Sequence, residues 1–268
     1  MRYPIYCLLF ILSMAGPTHA ATWQAVQGEV VTVELSSASS TMRLWCFGKM
    51  WPVKQQPSGQ WRGWIGVDLK SKATDYPIEW SDGKTVVARD RLNVTAGEFR
   101  ISHIKVKKKM AEFDTPTLTR IRQEVKALKA TYVEKVDANP DIRMFGKPSE
   151  GIESTPFGAQ RYVNGAARSP HSGIDIAAPA GTVIKTPLAG RVLLVADMYL
   201  NGNTVAIGHG NGLVSVFSHM QSTSVEQGQW VDTHQEIGKI GATGRATGPH
   251  LHWGVRFNMA RVNPDSLL

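Results

Sequence analysis

From Ile142 to the C-terminus the chain is a succession of short strand-like runs with no helical segment between them, and this limits the fold more than any other feature. Residues 182–186, 190–196, 203–207 and 213–217 are rich in β-branched side chains and are separated by Gly, Asn and Asp turn signals. Parallel neighbours need long crossover connections, usually helices, and none is present. An antiparallel sheet or barrel-like sandwich is therefore predicted. The segment 208–212, Gly-His-Gly-Asn-Gly, predicts a hairpin turn.

Into this sheet-forming region fall four histidines and one aspartate in patterned positions. His250 and His252 are two apart, so in a strand both imidazoles project to one face while Leu251 and Trp253 point to the other as core anchors. The preceding segment 241–248 is built of small residues and predicts a flexible, open approach for an extended substrate. His171 and Asp175 are four apart, a helical spacing, yet Gly173, Ile174, Ile176, Pro170 and Pro179 argue for a strand-and-turn segment instead. His219 stands in Val-Phe-Ser-His-Met. Two histidines with one carboxylate form the ligand set of a catalytic zinc that keeps one position for water, and two further histidines remain to handle protons. Taken alone, His171 or His219 would be an ordinary hydrogen-bonded structural residue, H-x-x-x-D is a weak signal and H-x-H a moderate one. Their combination in one β domain is what makes the pattern specific. His103, His234 and His209 lie in the linker, a polar run and the expected hairpin turn, and are read as outside the site.

The rest of the chain divides by texture. Residues 21–104 carry β-rich runs at 29–35 and 85–89, and four tryptophans, Trp45, Trp51, Trp61 and Trp64, crowd the middle. These could form a sugar-stacking platform; core and rim of a small β-sandwich is the favoured reading. Cys46 lies in an apolar run and reads as a buried small hydrophobe. Residues 105–140 begin with a lysine run and continue with Leu118, Ile121, Val125, Leu128, Tyr132 and Val136 at three- and four-residue steps. An amphipathic helix is predicted there, N-capped at Thr115 with Pro116 in the first turn and ending before Asn139-Pro140. It either packs one face on a domain or stands as a lid or spacer beside the groove. The expected organisation is a leader at 1–20, a small N-terminal β-sandwich at 21–104, a basic linker with amphipathic helix at 105–140, and a C-terminal antiparallel β-sheet domain at 141–268.

Residues 1–20 combine Arg2, an apolar run too short to span a bilayer, and small residues at 18–20, so export with a mature start at Ala21 is expected. Loss of that segment removes Cys7, leaves Cys46 as the only thiol and excludes an internal disulfide. Net charge falls from +8 to +7 with Arg2. A basic exported protein suits anionic wall or lipid surfaces. Nucleic acid is disfavoured, because the lysine run is short and lacks interleaved aromatics.

The residues from about Thr155 to Asp265 resemble the lysostaphin-type (LytM-domain) zinc metallopeptidases that cut cell-wall peptides, especially exported proteobacterial forms with a β-rich N-terminal domain. Phe157-Gly158 with Arg161, the His-x-x-x-Asp pair, Gly-Asn-Thr-Val at 202–205, Ser-His-Met at 218–220 and Thr-Gly-Pro-His-Leu-His at 247–252 carry the likeness. The resemblance implies that His171, Asp175 and His252 bind Zn²⁺ and that His219 and His250 act on protons and the developing oxyanion, in an order it leaves open. It implies a periplasmic endopeptidase acting on peptidoglycan stem peptides, with a regulatory protein as a conceivable further partner. Many relatives carry tyrosine near the middle histidine where this chain has Phe217-Ser218, which loses a phenol hydrogen bond. Two other readings stay open: a latent wall-binding or regulatory module on the same scaffold, and a secreted protease against other proteins.

Overall fold

The computed structural model describes residues 21–105, 113–139 and 141–268. The expected leader and most of the lysine run lie outside these. The chain is mainly β, with one α-helix among the described residues, and none of its described helices is long and apolar enough to cross a membrane.

The N-terminal part is two facing sheets. One has five strands in the order Thr22–Val26, Val86–Thr95, Asp75–Ser81, Arg43–Cys46, Lys49–Trp51, and the other has three, Val30–Ser36, Gln60–Gly66 and Val53–Gln55. Alternation sets their inner faces: Ala88, Asp90, Leu92 and Val94 point inward from one strand, Ile78 and Trp80 from its neighbour. Gly63 is required where the sheets meet, since a Cβ there would lie 2.3 Å from Leu44 Cδ2. Asp90 is a carboxylate in this core, and it is satisfied by the indoles of Trp80 at 3.0 Å and Trp23 at 3.3 Å and by the Ala21 amide at 2.9 Å. Trp51, Trp61 and Trp64 are core as expected, whereas Trp45 is 41% exposed. Cys46 is buried, and burial pushes its thiol pKa up to about 12, which leaves it protonated and unreactive.

The C-terminal part is a ten-stranded sheet. Its main path runs Ile152–Thr155, Ile174–Ala177, His250–Phe257, Leu213–Thr223, Gly202–Gly210, Gly190–Met198, Trp230–Val231, with three further strands branching from it. Every pairing in it is antiparallel. Leu251, Trp253, Val255 and Phe257 are buried on one face, and this core is continuous with that of the N-terminal part, where Trp51 meets Phe257 edge-on at 5.3 Å. The strand Ile101–Ile104, which sequence places in the N-terminal unit, pairs instead in parallel with Gln160–Val163 beside the site.

Two local expectations are corrected. The hairpin turn is confined to Asn211 and Gly212, both with positive φ, and His209 is a strand residue with no exposure rather than a turn residue. The helix spans Thr115–Thr131, capped by Asp114, whose side chain accepts from the Thr117 amide at 2.9 Å, so Thr115 is its first residue and not the cap. It ends at Thr131 because Thr131, Tyr132 and Val133 are poor helix formers and because Tyr132 and Val136 pack onto the sheet from an irregular segment.

His209 donates from Nδ1 to the Ala189 carbonyl and accepts at Nε2 from the Ser215 hydroxyl. Burial holds its pKa down at about 4. An unfolded histidine takes up a proton near pH 6.5, so between about 6.5 and 4 the unfolded state binds more protons and stability falls as pH falls. His209 accounts for at most about 3 kcal/mol of that loss. His209→Gln is expected to flatten the decline of the thermal midpoint with pH over this window; parallel curves for the two proteins would remove His209 from the acid response.

Candidate metal and active site

Three elements bring the patterned residues together. Asp175 and His252 are direct cross-strand partners in the pairing of Ile174–Ala177 with His250–Phe257, which places both side chains on the same sheet face. His171 precedes that strand, its backbone bonded to Ala159 and Gly158. The segment lies close to the histidine strand because Gly173 has no Cβ; one added there would sit 2.3 Å from the Trp253 carbonyl. Strand and turn, not a helix, thus bring His171 and Asp175 together.

His171 donates from Nδ1 to the Pro156 carbonyl at 3.0 Å, which turns Nε2 toward Asp175 Oδ1 at 2.9 Å and His252 Nδ1 at 2.8 Å. His252 Nδ1 lies 2.9 Å from the same carboxylate oxygen. These three atoms could hold one metal ion. Burial holds the His252 pKa down at about 4, so the ring is neutral, the form that a metal ligand needs. Burial works against the Asp175 carboxylate, but the imidazoles of His171 and His252 set against it outweigh burial and hold its pKa below the usual carboxylate range. Its other oxygen is bonded to the guanidinium of Arg161 at 2.5 Å.

His219 and His250 form a second pair, with ring centroids 4.7 Å apart. His219 sits at a β-bulge, where Ser218 and His219 fall between the paired residues Phe217 and Met220, and its φ is +64°. Both flanking residues are buried, and the bulge lets the imidazole between them reach the site. Each ring is fixed by a backbone acceptor, the Thr243 carbonyl for His219 Nδ1 and the Gly248 carbonyl for His250 Nδ1, which leaves each Nε2 as an acceptor. Burial, followed by the neighbouring His252, lowers the His219 pKa to about 4.

A groove of about 330 Å³ opens over these residues, with Asp175, His219 and His250 in its lining, Ile104 and Val163 on one wall and Arg245 and Thr247 on the other. The loop bearing Arg245 is pinned rather than flexible. The Thr243 hydroxyl bridges the Asn203 amide and the Met220 carbonyl, and Gly202 and Gly244 allow backbone contact that a Cβ would block. The helix is seated on the histidine-bearing face of the sheet. Between them remains a cavity of about 200 Å³, with His252 on one wall and Val125 and Leu128 on the other. Tyr132 lies under the Arg256 guanidinium at 5.1 Å. His103 stacks on Tyr162, and His103, His209 and His234 are absent from the groove lining. The contact of Arg161 with Asp175 is not visible in sequence, because Arg161 lies on a small hairpin in one sheet and Asp175 on a strand of the ten-stranded sheet, with no shared spacing.

Comparison with known proteins agrees with this geometry. The model of peptidase family M23 matches residues 169–264. A Pseudomonas aeruginosa crystal structure assigned to peptidase M23 is 35% identical, with a TM-score of 0.73 over 90% of this chain and 94% of that one. The DD-carboxypeptidase/endopeptidase Mpg of Neisseria meningitidis serogroup B is 39% identical over 114 residues, 42% of this chain and 26% of that protein. The peptidoglycan DD-endopeptidase ShyA of Vibrio cholerae serotype O1 is 42% identical over 95 residues, 35% of this chain and 22% of that protein. The match thus spans about a quarter of the length of these curated relatives. With likeness over nearly the whole of both chains in the Pseudomonas structure, and the patterned histidines and aspartate on one sheet face, this chain belongs to peptidase family M23.

Proposed function

We propose that this protein is a zinc-dependent endopeptidase that hydrolyses peptide cross-links of peptidoglycan in the periplasm. The observation that carries the proposal is the meeting of His171 Nε2, Asp175 Oδ1 and His252 Nδ1 at separations of 2.8–2.9 Å beside a groove that holds a second histidine pair. Two imidazoles and a carboxylate suit Zn²⁺, and the three residues turn their ligand atoms toward one another. Bound there, zinc would supply a water of lowered pKa and an electrophile for the scissile carbonyl. His219 and His250 then do the proton work. Each ring is held through Nδ1 and lines the groove, so that its Nε2 can take the proton of the attacking water, steady the oxyanion as imidazolium, and return the proton to the leaving amine. Asp175 as a ligand is not the general base.

Support for the substrate comes from the relatives named as peptidoglycan DD-endopeptidases and from the basic charge of the chain. The expected leader at 1–20 supports the compartment. Zinc-loaded protein incubated with purified sacculi is expected to release cross-link amines, and a chelator to stop the release. No release from protein carrying one zinc per chain would overturn the proposal in favour of a latent or wall-binding module.

A further inference from the structure

We propose that Arg256 is a positioning residue for the metal centre: its guanidinium fixes Ser172, and through it the ligand His171, while Tyr132 from the segment after the helix holds the guanidinium in turn. The inference rests on the metal-centre part of the reading above and concerns how tightly the ion is held.

Alternation along His250–Phe257 puts Arg256 on the face that carries His250 and His252. Its side chain meets the residue next to His171 in sequence. Nη1 donates to the Ser172 carbonyl at 3.4 Å, and Nη2 donates to the Ser172 hydroxyl at 3.4 Å. Nη1 also donates to the Val255 carbonyl at 3.3 Å. Each bond is long, so none alone would fix a segment, but one planar fork applies two of them to a single residue. The Tyr132 ring lies against the same guanidinium, with Cζ 5.1 Å from the ring centroid. Tyr132, Ser172, His252 and Arg256 line one cavity between the helix and the sheet.

The backbone of His171 is bonded to Gly158 and Ala159, and its Nδ1 to the Pro156 carbonyl, so these holds come from one stretch of chain. Arg256 adds a hold from the strand that carries His252, which ties both histidine ligands to one element. Two glycines bring the segments close enough for this. Gly173 lies against the Trp253 carbonyl, and a Cβ at Gly254 would stand 3.4 Å from the Ser172 carbonyl oxygen that the guanidinium also bonds. A cation near a metal centre is costly in itself, because repulsion alone weakens the binding of a divalent ion. Fixing Ser172 is a reason for it to be there. The two effects have opposite signs, since removing the charge alone would tighten zinc, whereas losing the fork would loosen it.

The test uses full-length mature protein and two readouts that need no turnover: the zinc Kd from competition with a chromophoric chelator, and the visible spectrum of the cobalt-loaded protein. Arg256→Gln is expected to raise the zinc Kd by about 10–100-fold, the range for loss of an outer hydrogen-bonding partner, and to alter the cobalt spectrum. Arg256→Lys keeps the charge without the fork, and its Kd is expected to fall between those of the wild type and Arg256→Gln. Tyr132→Leu keeps an apolar side chain against the sheet and is expected to shift the Kd in the same direction by a smaller factor. Ile78→Val, in the core of the N-terminal sheets, is expected to lower the thermal midpoint while leaving Kd and spectrum unchanged, which tells positioning apart from a general loss of stability. Unchanged or tighter zinc binding by folded Arg256→Gln would overturn the inference. Should that variant not fold, a wild-type Kd in Tyr132→Leu would overturn it. Loosened zinc in these variants, with sacculi left uncut by the zinc-loaded wild type, would keep the positioning role and sink the endopeptidase. A wild type that takes up neither zinc nor cobalt would overturn both.

Discussion

Asp175→Ala is expected to lose bound zinc and turnover together. Asp175 is the element of the candidate centre on which everything else converges. One of its oxygens meets both His171 and His252 at 2.9 Å, and the other is bonded to Arg161. Removing it takes away the only anionic ligand of the three and leaves two imidazoles beside a guanidinium, an arrangement that disfavours a divalent cation. Loss of an outer hydrogen-bonding partner at a metal site lowers affinity by roughly 10–100-fold, and loss of a ligand should exceed that. The substitution also strips Arg161 of its carboxylate partner, when its buried Nε already has none, so a lower thermal midpoint should accompany the loss of metal. Zinc per chain after gel filtration, turnover on sacculi and the thermal midpoint together check this. A variant that keeps one zinc per chain and wild-type turnover would remove Asp175 from the centre.

How much of this was legible in the sequence depends on which physical rule was in force at each residue. His250 and His252 were placed correctly on one face because strand alternation is rigid, and the burial of Leu251 and Trp253 is the other half of the same rule. The absence of crossover segments after Ile142 was enough to give an antiparallel sheet. His171 and Asp175 could be paired but not oriented, because their approach depends on Gly173 lying against the Trp253 carbonyl, a contact across 80 residues of sequence. The segment 241–248 reads as flexible from its small side chains. In the structure the same small residues serve the opposite end, allowing Gly244 and Thr243 to lie against Gly202.

The helix shows the same limit from another side. Its apolar stripe correctly marks a packed face, and Leu128, Tyr132 and Val136 all reach the cluster of Leu193, Ala206, Val214 and Val216. Periodicity alone extends the helix to 138, whereas backbone propensity stops it at Thr131 and the last two contacts are made by irregular chain. Which sheet face receives the helix is not written in its periodicity either. It is set by the sheet, which offers an apolar patch on the same face as the histidines.

His219→Ala is expected to keep zinc and lose catalysis, the reverse coupling to Asp175→Ala. His219 contributes no ligand atom to the cluster of His171, Asp175 and His252, so metal content should stay near one per chain. Its Nε2 faces the groove as a base with the ring locked by the Thr243 carbonyl, and loss of such a group lowers turnover by about 10²–10⁴-fold. The backbone argues for the same role. A non-glycine residue held at φ +64° in a bulge is strained by about 1–3 kcal/mol, and strain of that kind persists where the surrounding structure fixes a side chain for use. Alanine keeps most of that strain, whereas His219→Gly relieves it, so the glycine variant should be the more stable of the two and equally inactive. A difference in stability between the two variants with activity equally lost would separate the catalytic role from a structural one. A His219→Ala protein with full zinc and undiminished release of cross-link amines would leave His250 to carry the proton transfers alone.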